Sequence, residues 1–284
     1  MQLVELQEAK QRFRRRGLGL AAVTYDSPAT LVEFAATQHI DYPLLADPGS
    51  EIIRAFDVLD PDNSDFNRAG DGSAPKDMAY PGYFVIDREG RITAKFFEAI
   101  YSDRHTPNNV LGSLYPGGSA GSRVRSRHLT AQPGQSDRIA APGNRVTLFV
   151  EISLPHGVHV YAPGVEKYLP LELRLEPPAP FETRPPLYPA PRVLEIPVIH
   201  ESVPVYEKHL RVSVDLIVPG RSRKFLSSLQ EAPEQYQEFE IPGTLRYQAC
   251  DAKVCYRPEE ARWSWRLGVK LRNIPRASPE NRRS

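Results

Sequence analysis

Cysteine is almost absent from this chain: there are two in 284 residues. That scarcity excludes the disulfide framework of a small secreted domain. It also argues against a zinc centre, since four ligands are usual and no second cysteine pair or close histidine pair accompanies the first. No metal or cofactor is expected. Excess charge is equally scarce, because 36 Lys and Arg balance 35 Asp and Glu to leave a formal +1. A chain without a basic field has no electrostatic footprint for nucleic acid or an anionic bilayer. No apolar run approaches the ~20 residues needed to cross a membrane. The opening residues, Met1 to Arg16, are amphipathic and charged, with no secretory core. Taken as written, the sequence reads as a soluble, cytoplasmic product, although one cysteine pair with room to bridge also suits an oxidising compartment.

The first third alternates helical and strand patterns, as in an α/β layer with parallel strands. Gln2 to Arg16 carries Leu3, Leu6 and Phe13 on one side, and Gly17 stops it. Leu18 to Tyr25 has strand length, and Ser27-Pro28 opens a helix running through His39. Tyr42 to Ala46 forms the next strand, Asp47 to Ser50 a turn and cap, and Glu51 to Val58 a helix with Ile52, Ile53 and Phe56 inward. Leu59 to Ala79 lacks periodicity and reads as a long surface loop. Tyr83–Asp87 and Arg91–Phe97 flank Arg88-Glu89-Gly90 as a hairpin. His39 and His105 have no nucleophile beside them and receive no role.

Glycine and serine then gather between residues 112 and 127, which reads as a flexible linker between a domain at 1–111 and another at 128–272. The second domain is dominated by strand alternation. Val146, Leu148, Val150 and Ile152 share one face, as do Val212, Val214, Leu216 and Val218, and Trp263, Trp265, Leu267 and Val269. About seven such segments imply an antiparallel β-sandwich of immunoglobulin-like size. Prolines between Glu176 and Pro191 place that stretch in a loop, and residues 273–284 form a disordered tail.

Both cysteines fall in this second domain, as Cys250 and Cys255. Four intervening residues suffice for a tight loop that brings the sulfurs within bridging distance. A reversible dithiol, a static staple and two reduced buried thiols all remain open. Lys253 and Arg257 would favour a thiolate here and Asp251 would oppose it.

The stretches Gln2–Leu6, Ala22–Pro28, Tyr42–Pro48 and Pro81–Gly90 resemble the AhpC/TSA redoxins of the thioredoxin superfamily. The resemblance implies a thioredoxin-like fold whose reactive cysteine begins the helix that here starts at Met1. No cysteine precedes Cys250, so the natural product is expected either to be longer, with Met1 internal, or to hold a degenerate redoxin as scaffold. The former is preferred, because the fold's sheet needs the strand that precedes this helix. By the same resemblance Pro81 corresponds to a proline that takes a cis bond facing the active cysteine, against a trans turn proline as the alternative.

Gly157–Tyr161, Val205-Tyr206-Glu207 and, above all, Tyr247-Gln248-Ala249-Cys250 with Cys255-Tyr256 and Pro258-Glu259 resemble the N-terminal domain of thiol:disulfide interchange protein DsbD. That resemblance implies thiol–disulfide exchange by Cys250 and Cys255, with Tyr206, Tyr247 and Tyr256 around them. It also implies a thioredoxin-like or DsbD-like redox protein as partner, and a periplasmic setting if the true N-terminus lies upstream. A shielding loop would fall near Arg192 to Ser202, where the acidic-aromatic family pattern is not reproduced. The rival reading is a non-catalytic scaffold or interaction protein with a structural disulfide.

Overall fold

The computed structural model describes residues 2–59, 79–97, 103–115, 119–196, 201–220, 222–230 and 236–270. The chain divides into two compact units between Leu114 and Tyr115.

In the first unit, α1 (Gln2–Arg15) turns Leu6, Ala9 and Phe13 into a small core that also takes in Ile40, Tyr42 and Val110. The Tyr42 hydroxyl donates to Leu3 O at 2.8 Å and ties the helix down. β1 (Ala22–Thr24) pairs in parallel with β2 (Leu44–Ala46) across α2 (Pro28–Gln38). Proline at the first turn and the Ser27 hydroxyl, which accepts from Thr30 N at 3.2 Å, start that helix. α3 is shorter than its pattern suggests, Glu51–Ala55. Ser50 sits there at φ 53° without capping; the Asp47 carboxylate does the capping, accepting from Glu51 N and Ile53 N at 2.9 Å each. Ending after one turn leaves Ile53 buried but Ile52 and Phe56 exposed, so only one of the three expected inward residues is inward.

β3 (Gly82–Ile86) and β4 (Ile92–Phe97) form the expected hairpin, followed by β5 (Arg104–His105) and α4 (Pro107–Leu114). Among the described residues β1–β2 and β3–β4 are separate two-stranded sheets. Most of the loop expected between Leu59 and Ala79 lies outside the described residues; its ends, Leu59 and Ala79, bridge each other. Tyr80 N donates to Val58 O at 2.8 Å beside that bridge. The Tyr80–Pro81 bond is not cis; the cis bond among the described residues is Ala179–Pro180.

The second unit is almost entirely β. Part of the stretch read as linker is ordered: Gly112 to Leu114 complete α4, and β6 (Ser119–Ala120) and β7 (Val124–Arg125) pair with β8 (Thr130–Gln135). Small residues suit that edge, where Gly121 N reaches Pro133 O at 2.6 Å. β9 (Ile139–Ala140) and β10 (Asn144–Ser153) follow, then β11 (His159–Tyr161), β12 (Glu172–Leu175), β13 (Glu182–Thr183), β14 (Arg192–Ile196), β15 (Glu201–Glu207) and β16 (His209–Ile217). After α5 (Arg223–Gln230) come β17 (Gln237–Tyr247), β18 (Ala249–Cys250) and β19 (Glu259–Val269). The expected tail, 273–284, lies outside the described residues.

One sheet runs β13–β16–β10–β8–β6, a second β14–β15–β11–β18, a third β12–β17–β19–β9. β9 pairs in parallel with β19, while the ladders joining β16, β10 and β8 and those joining β12, β17 and β19 are antiparallel. The sandwich core forms where Val146, Leu148, Val150, Ile152, Val212, Val214 and Leu216 meet Ile241, Leu245, Trp265, Leu267 and Val269, so the strand alternation identifies these inward rows. The helix α5 has no counterpart in the strand-dominated reading. Its Phe225 and Leu229, four apart on one helical face, close the core beside Phe181 and Phe239.

Two chain segments change sheet. β15 passes through Lys208 (φ 62°) into β16, and β17 leaves the third sheet after Tyr247 to become β18 in the second. Such corners join the layers of a sandwich, and the second one carries Cys250. Packing in the third sheet is tight around Gly243, where a Cβ would lie 2.4 Å from the Trp265 ring. Trp265 cannot swing away, being 3% exposed with its indole N–H donated to Gly134 O at 2.8 Å. Gly243→Ala is expected to destabilise the unit by ~1–3 kcal/mol, the usual cost of overpacking, read as a lower urea midpoint at unchanged slope.

Candidate functional site

Cys250 and Cys255 form a disulfide, with Cα atoms 4.0 Å apart. They face each other across a one-pair antiparallel bridge that closes the turn after β18. Asp251 builds this turn, its carboxylate accepting from Lys253 N at 2.7 Å, Val254 N at 2.8 Å and the Tyr256 hydroxyl at 2.5 Å. These donors, Tyr256 first, hold its carboxyl down at about 2. Charge on Asp251 is thus spent on local donors, which limits the opposition to a thiolate that its place in the sequence suggests.

The two sulfur-bearing residues differ in access. Cys250 is 1% exposed, lying in β18 beside β11 within a cluster with Tyr161, Val203 and Val205. Cys255 is an exposed residue on the outer limb, next to exposed Val254. The Tyr161 hydroxyl stands 3.5 Å from each Sγ; with the sulfurs bridged, only the hydroxyl can donate. Tyr168 stacks on Tyr161 with centroids 4.2 Å apart and fixes its ring.

The structure places the three expected tyrosines differently. Tyr206 belongs to the main core and donates to Pro189 O at 2.9 Å; alternation along β15 sends its neighbour Val205, not Tyr206, to the cysteine cluster. Tyr247 is fully buried at the root of the hairpin and donates to Glu259 at 2.8 Å. Tyr256 stacks on His128 with centroids 3.9 Å apart. Pro81 lies in the other unit. The segment expected to shield the pair forms a hairpin of β14 and β15 whose Leu194 packs on the cysteine cluster; residues 197–200 lie outside the described residues.

Glu259 anchors the far side of the turn. It accepts from Ser126 Oγ, from the Tyr247 hydroxyl and, at 2.9 Å, from His128 Nδ1. Burial opposes its ionisation, but the three donors prevail and keep its carboxyl below the usual range. Burial pushes the Tyr247 phenol up, so it remains a donor.

Tyr161, His159, Ser126 and His128 escaped the sequence reading as site residues. The spacing His159-Val160-Tyr161 held the signal, since residues two apart on a strand share a face; Ser126 and His128 were absorbed into the domain boundary. His159 sits opposite Cys250 on one side and Glu207 on the other in the β11 ladders. Burial lowers its proton affinity, with Glu207 and Asp251 pulling the other way.

Two family models match different parts of this chain. Residues 130–264 match the family described as thiol:disulfide interchange protein DsbD, N-terminal, and residues 1–95 match the AhpC/TSA family. No curated protein matches. Among solved structures, the N-terminal periplasmic domain of ScsB from Proteus mirabilis is similar at 12% identity and a TM-score of 0.34, covering 53% of this chain. The match spans about half, 51%, of that ScsB chain. The Neisseria meningitidis DsbD N-terminal domain in its reduced form is similar at 16% identity and a TM-score of 0.28, covering 43% of this chain and 77% of that one. The complex of the DsbD and PilB N-terminal domains from the same organism matches at 15% identity and a TM-score of 0.27, over 42% of this chain and 73% of that one. The two family matches point to a thiol–disulfide redox role, and a bridged cysteine pair is present. No helix among the described residues is long and apolar enough to cross a membrane.

Because Asp251 titrates below its ordinary value, its contribution to the turn is fully present above the unfolded carboxylate pKa near 4 and is lost as pH falls toward 2. NMR titration is expected to show the Tyr256 ring and the Lys253 and Val254 amides moving together over that window. In Asp251→Asn the coupled transition should vanish.

Proposed function

We propose that the DsbD-type unit exchanges its Cys250–Cys255 disulfide with the dithiol of a thioredoxin-like or DsbD-like redox protein. The observation that carries this reading is the unequal access of the two bridged residues, Cys250 enclosed and Cys255 outside. Exchange requires an incoming thiolate to reach one sulfur in line with the bond it breaks. A partner thiolate attacks Cys255 Sγ, the Sγ–Sγ bond breaks, and Cys250 departs with the electron pair and then takes up a proton. The partner's second thiolate attacks its own sulfur in the mixed disulfide and releases Cys255 as thiolate, which is protonated in turn. The partner leaves as a disulfide and this chain as a dithiol, two electrons richer. Tyr161, within hydrogen-bond reach of both sulfurs, supports the charge that grows on the departing one, as charge-assisted donors do. Exposed Val254 beside Cys255 offers an apolar contact to the partner.

The N-terminal unit is read as redoxin of AhpC/TSA type with a thioredoxin-like fold. Residues 1–114 hold no cysteine, the first in the chain being Cys250, so the proposed exchange rests on Cys250 and Cys255. The bridged pair fits an oxidising, extracytoplasmic setting, where disulfides form and persist. The rival, a permanent staple in a non-catalytic scaffold, draws on the tight Asp251 turn. A midpoint potential separates the two: a structural bridge lies below about −300 mV, an exchanging one between about −270 and −120 mV.

Two experiments on the full chain test the proposal. Cys250→Ser, which keeps the accessible sulfur, should trap a mixed disulfide with a thioredoxin-like protein, while Cys255→Ser should trap little. Equal trapping by both would remove the assigned order of attack. The double variant Cys250→Ser/Cys255→Ser should consume no peroxide with thiol donors in a coupled assay, and turnover there would place the redox chemistry elsewhere.

A further inference from the structure

We infer that His159 is the hydrogen-bond partner that Cys250 acquires when the bridge opens, an acceptor left without a donor in the disulfide form. This rests on the exchange reading and names the residue that biases it. His159 is 6% exposed, and its Nε2 has no hydrogen-bond partner among the described residues. In the β11–β18 ladder it stands directly opposite Cys250, and opposed residues put their Cβ atoms about 4.5–5.5 Å apart on one face of the sheet. The imidazole ring stands edge-on to Tyr161, with centroids 5.6 Å apart and an interplanar angle of 86°. Tyr161 in turn reaches both sulfurs.

A buried polar atom without a partner is costly, and native structures rarely keep one without reason. The reason here is chemical. A disulfide has no S–H, so the neutral ring's acceptor nitrogen has nothing to accept; reduction places an S–H on Cys250 across the ladder. The surroundings keep the ring neutral enough for this role. Burial disfavours the imidazolium, and the two carboxylates that favour it are engaged elsewhere: Glu207 takes Arg192 Nη1 at 2.7 Å, and Asp251 takes its turn amides and Tyr256. Tyr161 contributes a neutral ring on the same face. When the pair is oxidised again, the same nitrogen is placed to receive the proton Cys250 must lose before it attacks the mixed disulfide. His159 therefore stabilises the dithiol relative to the disulfide and speeds the return step.

Equilibration with glutathione redox buffers, read as the reduced fraction of the pair, tests this. Removing the acceptor with His159→Phe relieves the disulfide form alone, so the equilibrium should move about tenfold toward the disulfide, a potential lower by ~30 mV for a two-electron couple. His159→Gln, whose amide oxygen reaches about as far as Nε2, should stay within about threefold of the parent. His159→Asn, whose oxygen stops near the Nδ1 position, should resemble His159→Phe. If His159→Phe does not fold, the Gln and Asn variants decide, since both are small and polar and differ only in reach. Equal potentials for the parent and all variants would overturn the inference and leave exchange standing. A parent bridge that neither glutathione nor millimolar dithiothreitol reduces would instead remove the exchange reading, and this inference with it.

Discussion

The ladder between β17 and β19, which runs from Gln237–Val269 to Tyr247–Glu259, decides where the cysteine turn can stand. On its inward face Ile241, Leu245, Trp265 and Leu267 pack against β10 and β16, so its register cannot slip without turning this row to solvent. At its last rung the two strands part, and the chain between them has to form a turn whatever its sequence. Tyr247, fully buried and bonded to Glu259, sets that parting point. Ser126 and His128, delivered by the segment before β8, add their bonds to Glu259 and hold the exit of the turn as firmly as β17 holds its entry.

From that clamp the turn reaches across to another sheet. Ala249 and Cys250 join β11, and Ala249 packs into the main core while Cys250 joins the outer cluster with Tyr161 and Val205. One sulfur is thereby enclosed by strand pairing, and the other is carried on a limb bound mainly by the Asp251 turn and the Tyr256–His128 stack. This asymmetry is what a thiol pair needs if it is to be approached from one side and closed from the other. It follows from a strand changing sheets between its last two inward residues, with no special chemistry in the cysteines themselves.

The inward rows of the sandwich, the helix α1 with its Leu6 and Phe13, and the hairpin of β3 and β4 were all legible in the sequence, because each depends on a local period or a local turn signal. So was the cysteine pair, whose spacing leaves room for a bridge. Where local signals stop, backbone turns and open sheet edges decide the outcome. α3 stops at Ala55 because the chain turns left-handed at Asp57 (φ 54°) and Val58 N closes back on Ile53 O at 3.2 Å, and glycine-serine chain near residue 120 pairs with β8 because that edge was open to it. The helix α5, carrying Phe225 and Leu229, was hidden among strand patterns too short to compete with it.

What surrounds the sulfurs was settled by tertiary structure alone. Sequence neighbours made Tyr247 and Tyr256 the natural candidates, yet the ring that reaches both sulfurs is Tyr161, 89 residues from Cys250, and the histidine opposite Cys250 is His159. A strand's alternation tells which of its residues share a face, and the sequence held that much: His159 and Tyr161 together, Val205 apart from Tyr206. Which strand lies beside which, and which rung meets which, depends on how two sheets fill one core, a property of all the inward side chains at once. The amino-acid sequence therefore determined that a thiol pair exists, where it lies in the chain and that a β-sandwich carries it. Only the packing of that sandwich decided that Cys250 would be shut in beside Tyr161 and His159, and that Cys255 would face outward.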